Sequence, residues 1–339
     1  MKLLLEIAGV FAIECRDMRN HARLGEISMS EISVKAHAKI NLSLDVTGKR
    51  PDGYHNVSMV MQMIDLHDTV TIIAEPAEPQ ETMIRLSSGR PDLPGDQGNI
   101  AFRAAELFAE ATGKAIDVAI IIEKRIPVAA GLAGGSTDAA AVLLGLNILC
   151  DGGFSIPELM AMSVRLGADV PFCVMGNAAA GGLDPSKHAR SCALAEGIGE
   201  KLTPVVGNHE EEILPLLQRI WILLSKPPID VSTARVYGAL DFASIGRRPD
   251  NSELIAGLLE NDLEKVRKNM VNVLENVTLK EYAIVMYTKN NIVRTQPLAA
   301  LMSGSGPTVF ALFDEKKTAE DAFDKMLAIN AETYLVRSI

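Results

Sequence analysis

Apolar and polar positions first fall into a regular pattern at Ile32. The run SVKAHAKINLSLDVTG (33–48) alternates small or apolar residues with polar ones, as a strand requires, and Pro51, Asp52 and Gly53 then supply a turn. A strand feeding a loop places Lys39, Asn41, Tyr54 and His55 near one another. DTVTIIAE (68–75) predicts a second strand, followed over 76–98 by a Pro- and Gly-containing connection with weak strand character. Ile100, Phe102, Ala105, Leu107 and Phe108 recur at helical spacing within 99–111, and AIDVAIIIEKRIP (115–127) reads as a buried strand ended by Pro127. Ser136 to Leu149, rich in Ala and Leu, predicts a helix that starts at a glycine run, and 156–166 predicts another, ahead of the turn GADVPF (167–172). Later come a strand over 221–226, a helix over 232–240, one amphipathic stretch over 254–274, and a glycine turn in LMSGSGPTVFALF (301–313) that leads into a strand. A helix over 318–329 and the apolar YLVRSI (334–339) close the chain. There is no internal repeat, heptad pattern or low-complexity tract.

Composition narrows the class. With 339 residues, 48% of them hydrophobic, the chain can bury a sizeable core, and it predicts two α/β domains. The formal net charge is -10, from 43 acidic and 33 basic side chains, which opposes attraction to phosphate backbones and argues against nucleic acid as a partner. An anionic small-molecule substrate must then be held by local backbone N–H groups and a few cations. Cys15, Cys150, Cys173 and Cys192 are scattered without CxxC spacing, so neither a disulfide framework nor a zinc site is expected, and a reducing cytoplasm fits. Glu6 interrupts the N-terminal apolar run and no small-residue cleavage site follows, which argues against a secretory signal. No apolar run approaches the roughly 20 residues that span a bilayer, so no membrane role is expected. Residues 1–28 read as an extension, a leader without fixed structure.

The chemistry concentrates in PVAAGLAGGSTDA (127–139). Glycines at 131, 134 and 135 let the backbone approach phosphate oxygens, and a helix N-terminus beginning near Ser136 and Thr137 presents unsatisfied donors. The segment lacks the lysine of a G-x-x-x-x-G-K-[ST] loop and the G-x-G-x-x-G dinucleotide pattern. An ordinary glycine turn capped by Ser136 is the alternative. Lys39 stands in a small and apolar strand, where an ammonium is costly unless it is paired or used. Asp169 is either its partner or the cap of a turn. Tyr54 and His55 can stack on a planar ring and hydrogen-bond its edge, or simply pack over a turn. Ser303, Gly304 and Ser305 offer more donors to phosphate, or form a flexible hairpin.

AKIN (38–41), GLAGGSTDAA (131–140), GADVPF and MSGSGPTVF (302–310), in that order and at these separations, resemble the GHMP superfamily of small-molecule kinases. PDGYH (51–55), ALAEGIGEKLTP (193–204) and KPPIDVSTARVY (226–237) extend the resemblance from about Ile32 to the C-terminus. It implies a two-domain α/β (α+β) fold, with a ribosomal-protein-S5-like ATP-binding domain over 29–218 and a ferredoxin-like domain over 219–339. It also implies ATP with Mg²⁺ as cofactors and, from the Tyr-His pair, a cytidine diphosphate methylerythritol substrate phosphorylated on its C2 hydroxyl, in the non-mevalonate route to isoprenoids. By the same resemblance Asp169 is the catalytic base and a substrate contact, and Lys39 orients the reacting hydroxyl. Pro127, Ala129, Ala130, Gly131, Leu132, Ala133, Gly134, Gly135, Ser136 and Thr137 hold ATP, and Asn99 lies near its base. Asn41, Tyr54, His55, Thr233, Tyr237, Ser303, Gly304 and Ser305 contact the substrate. The metal ligands are left unassigned, and a monomer or homodimer is expected.

The chain departs from that pattern in its leader, in the glycine-poor stretch MYTKNNIVRTQPLAA (286–300), and in AAAGGLDPSKHARSC (178–192), an insertion of about a dozen residues. Lys187 or His188 could add a phosphate contact there, against the alternative of a solvated loop. Two rival readings stand. A homoserine or mevalonate type of GHMP kinase has no need of the Tyr-His pair, and a catalytically silent nucleotide-binding homologue has no need of both Lys39 and Asp169.

Overall fold

A computed structural model describes residues 13–16, 30–74, 81–184, 189–207 and 214–339. Lys187, His188 and most of the leader lie outside the described residues. In chain order the first elements are β1 (Ile13–Arg16), β2 (Ser30–Lys49), β3 (His55–Ala74), β4 (Met83–Ser87), α1 (Ile100–Thr112), β5 (Asp117–Glu123), α2 (Gly134–Leu149), α3 (Ile156–Ser163) and α4 (Val170–Ala180). There follow β6 (Cys192–Gly197), β7 (Lys201–Pro204), α5 (Pro215–Arg219), β8 (Trp221–Lys226), α6 (Thr233–Gly238), α7 (Asn251–Glu260) and α8 (Leu263–Asn269). The last are α9 (Glu275–Glu281), α10 (Ala283–Val293), β9 (Ala299–Met302), β10 (Val309–Phe313), α11 (Lys316–Leu327) and β11 (Glu332–Arg337). Helices and strands mix throughout, as an α/β fold requires.

The chain forms two compact units, each assembled from separate stretches, because the long strands β2 and β3 pass through both. This interleaving differs from the single cut at 218–219 that the sequence suggests.

One unit comprises the described residues within 1–36, 67–124 and 135–189. Its sheet runs β1-β2-β3-β5-β4, with β4 parallel to β5 and β1 antiparallel to β2 through Ile13↔Val34 to Arg16↔Glu31. The leader therefore contributes a strand within the stretch expected to lack structure. Gly145 lets α2 lie close on this sheet, since a Cβ there would collide with Ile72 and crowd Ile32. β5 is not the fully buried strand expected from its apolar run: it alternates buried Val118, Ile120 and Ile122 with exposed Ile121.

The other unit comprises the described residues within 37–66, 125–134 and 190–339. There β6 pairs antiparallel with the first half of β3, and β7 with β6. A separate four-stranded sheet runs β11-β8-β10-β9, antiparallel throughout. Ile40, Leu42, Ile64, Leu132, Ile222 and Phe310 belong to its continuous apolar core.

Three elements correct the sequence reading. GADVPF is a turn only through Asp169, and α4 starts at Val170. Its residues are buried almost all round, so it carries no amphipathic stripe to reveal it. The stretch 254–274 is two helices, α7 and α8, separated where Asn261 takes a left-handed φ of 60° and Asp262 caps the next helix by accepting from Lys265 N–H. The glycine-poor 286–300 holds the last eight residues of α10 and runs on into the start of β9.

Candidate active site

The buried stretch of β2 sorts its side chains by strand periodicity. Ala36, Ala38, Ile40, Leu42 and Leu44 form one face and enter the core; His37, Lys39, Asn41 and Ser43 form the other and are buried as well. A buried polar face is costly unless its groups are bonded. Lys39 is 3% exposed and donates from Nζ to Asn41 Oδ1 at 2.8 Å, while Asn41 Nδ2 reaches Met59 Sδ at 3.2 Å. Lys39 N–H also donates to the Leu132 carbonyl at 3.1 Å, which ties the glycine-rich run to the strand carrying the ammonium.

That run is built on alternate left-handed residues: Ala129 (φ 50°), Gly131 (φ 73°) and Ala133 (φ 59°). Glycine is required at 131 for a second reason. A Cβ there would overlap the Ser303 carbonyl oxygen and come within 3.1 Å of the Gly306 one. Ser303 Oγ in turn donates to the Gly131 carbonyl at 2.9 Å. The two glycine turns that the sequence separates by some 170 residues thus touch within one unit. Thr233 Oγ1 and Ser305 Oγ lie 2.9 Å apart, which brings α6 to the same turn.

In this unit His55, the first residue of β3, sits 5.4 Å from the Tyr237 ring at 46° and 6.3 Å from Phe242, nearly parallel at 16°. Tyr54 is exposed, its backbone N–H accepted by Asp52 Oδ1 in the turn. Burial, with Lys49 second, lowers the His55 pKa and keeps its imidazole neutral near neutral pH. Phe242 was not among the expected contacts, because it lies in a 3-10 turn with no motif around it.

The other unit carries the first turn of α2. Ser136 is half-buried; Thr137 is buried and its Oγ1 accepts from Asn177 Nδ2 at 2.8 Å, leaving the hydroxyl proton to donate. Asp138, one residue on, meets Lys124 Nζ through Oδ2 at 2.7 Å, and the same ammonium meets Asp68 Oδ2 at 2.5 Å. All three side chains are at most 5% exposed. Burial raises the Asp138 pKa to about 8 against the pull of Lys124, with Asp68 adding to the rise. Of this buried triad only Asp138 lies within a sequence motif, GLAGGSTDAA; Asp68 and Lys124 lie outside every one. Asp169, half-buried, occupies the N-cap position of α4 in αR conformation and makes no side-chain capping bond. Asn99 caps α1 by accepting from Ala101 N–H and donates to the Pro94 carbonyl.

Residues 99–177 match the GHMP kinases N terminal domain, and residues 254–331 the GHMP kinases C terminal. Over 310 residues the chain is 43% identical to the 4-diphosphocytidyl-2-C-methyl-D-erythritol kinase of Alkaliphilus metalliredigens, covering 91% of this chain and 97% of that protein. The chain belongs to the GHMP kinase family. A kinase of the same name from Acetivibrio thermocellus is 43% identical over 311 residues, covering 92% of this GHMP kinase and 100% of that one. The crystal structure of a 4-(cytidine 5'-diphospho)-2C-methyl-D-erythritol kinase shares the fold with a TM-score of 0.70 at 29% identity, covering 90% of this chain and 98% of that one. A kinase of this family takes its phosphate from ATP. Among the described residues, no group of three or more His, Cys, Asp or Glu side chains could hold a metal ion. The acidic side chain nearest the glycine run in sequence, Asp138, is engaged by Lys124. No described helix is long and apolar enough to cross a membrane.

Proposed function

We propose that this GHMP kinase transfers the γ-phosphoryl group of ATP to the C2 hydroxyl of 4-diphosphocytidyl-2-C-methyl-D-erythritol, in the cytoplasm and in the non-mevalonate route to isoprenoid precursors. The observation that carries the choice of substrate is the aromatic cluster of His55, Tyr237 and Phe242, with Tyr54 exposed beside it. A planar base can stack on these rings while the neutral His55 imidazole, with one donor and one acceptor nitrogen, pairs with its edge. Homoserine and mevalonate present no ring to such a cluster.

The roles follow from the chemistry of each group. Asp169 accepts the hydroxyl proton as general base, and Lys39, fixed by Asn41, orients the oxygen and favours its charged form. Backbone N–H groups of the glycine-rich run after Pro127, from Ala129 to Gly135, and the hydroxyls of Ser136 and Thr137 hold the ATP phosphates, and Asn99 lies near the base. Thr233, Ser303, Gly304 and Ser305 contact the acceptor. Positioning and charge stabilisation supply most of the rate enhancement in such a transfer. Mg²⁺ would arrive with the nucleotide and neutralise charge on its phosphates.

An assay of ADP release across candidate alcohols tests this. Turnover is expected with the cytidylyl alcohol and not with homoserine or mevalonate, and Asp169→Asn is expected to lose about 10²-fold or more in kcat while ATP still binds. Equal turnover of homoserine would sink the substrate assignment, and an unchanged kcat in Asp169→Asn would remove that residue from the mechanism.

A further inference from the structure

The turn Ser303–Gly306 is held from beneath by residues outside every sequence motif. The backbone on either side of Asn272 is fixed to β2, with Leu44 N–H donating to the Val271 carbonyl and Val273 N–H to the Leu44 carbonyl. Thus anchored and only 2% exposed, Asn272 donates from Nδ2 to the carbonyls of Met302 at 2.8 Å and Gly304 at 2.7 Å, and its Oδ1 accepts from Leu274 N–H. Three residues on, Glu275 accepts from Met302 N–H at 2.9 Å, its carboxylate held by Lys289 at 2.6 Å. One turn of α9 further, Thr278 Oγ1 donates to the Ser305 carbonyl at 3.1 Å.

The hydrogen-bond account of the turn is then one-sided. The Ser303 carbonyl accepts from Gly306 N–H and Ser303 N–H donates to Thr308. With the bonds above, the carbonyls of residues 302–305 are all occupied. Among the described residues, no protein acceptor takes the N–H groups of Gly304 and Ser305, although both residues are buried. Gly304 has φ 57°, so two successive N–H groups flank a left-handed residue, the arrangement that makes an anion-binding nest. Buried donors without a protein partner call for one from a ligand.

We propose that Asn272, seconded by Glu275 and Thr278, is a positioning residue for phosphoryl transfer: by occupying the turn's carbonyls it leaves the Gly304 and Ser305 N–H groups to an anionic phosphate oxygen. The oxygen belongs either to ATP, whose loop shares the Ser303–Gly131 bond, or to the diphosphate of the acceptor. The proposal rests on the kinase reading above.

The test compares wild type with Asn272→Leu, Thr278→Val and Thr278→Ser, each checked for native circular dichroism and thermal unfolding. Calorimetric binding of the β,γ-imido analogue of ATP and of cytidine 5'-diphosphate is measured beside kcat and both KM values. Folded Asn272→Leu is expected to lose roughly tenfold or more in kcat/KM, the loss carried by one substrate's KM and matched by the corresponding probe, which identifies the source of the oxygen. Thr278→Val, which covers the case in which Asn272→Leu does not fold, should show a smaller loss of the same kind that Thr278→Ser restores. Kinetic constants and both affinities within about twofold of wild type in the folded variants, with only the melting temperature lowered, would reduce the bracket to a stability device and overturn the proposal. Should wild type fail to phosphorylate the cytidylyl alcohol, the kinase reading falls. The two binding probes still report on the bracket in that case.

Discussion

At the scale of single residues, the glycine-rich run does not use its glycines where composition places them. Two of its three left-handed positions are alanines, 129 and 133, which tolerate φ of 50° and 59° at a cost of about 1 kcal/mol each. Gly131 is different in kind. Its neighbour is the Ser303 carbonyl, part of the backbone, which cannot rotate away as a side chain would. Gly131→Ala is therefore expected to push the two glycine turns apart and break the Ser303–Gly131 bond. A displacement approaching 1 Å at a phosphate site costs about 10²-fold in rate. Steady-state kinetics with ATP as the varied substrate should show a loss of that order in kcat/KM, with Ala133→Gly as the comparison that relieves strain instead of creating it. Equal behaviour of the two variants would mean that the contact with Ser303 has no bearing on function.

At the scale of elements, what was legible depended on whether burial left a pattern. β2 was readable because its faces alternate. The same alternation isolates Lys39 and Asn41 on a polar face, so the site residues were as legible as the strand. The first half of β3 was missed because Val57 to Ile64 is buried almost continuously, and α4 because it is apolar all round. Elements that bury every face leave no periodicity to read. α2 was legible as a helix, but the triad that secures its first turn was not, since Asp68, Lys124 and Asp138 are scattered in sequence. Two carboxylates around one buried ammonium leave an excess negative charge, which a proton on Asp138 removes. Its folded pKa of about 8 lies far above the ordinary 3.8 of the unfolded chain, so between these values the folded state holds a proton that the unfolded state gives up. Stability must then fall as pH rises through that window, with a slope of up to about 1.4 kcal/mol per pH unit. Asp138→Asn removes the titration while keeping the shape. Urea unfolding at pH 6, 7 and 8 should show wild type losing stability relative to this variant. A constant difference between them would show that Asp138 is ionised throughout.

At the scale of the whole molecule, the ordered motifs carried the family, while the geometry supplied what no motif contains. Lys39, Asn41, Gly131 and Ser303 belong to one compact unit, and Ser136, Thr137 and Asp169 to the other. Phe242 and Asn272 had no signal in the sequence because their importance lies in what they touch. The net charge is a property of neither unit alone. At -10 it repels ATP and a diphosphate-bearing acceptor over long range, while the donors that bind them act at contact. Salt separates the two effects. Raising ionic strength from 10 to 150 mM shortens the screening length from about 30 Å to about 8 Å, which removes the long-range repulsion and leaves buried contacts nearly untouched. The KM for ATP is thus expected to fall, by roughly twofold, as potassium chloride is added over that range, the reverse of the salt response of a protein that binds nucleic acid. Steady-state kinetics at fixed temperature and fixed free Mg²⁺ would measure it. A KM that climbs with salt would mean that cations near the site, Lys39 foremost, set the field an approaching nucleotide meets, and that the global charge has no part in substrate capture.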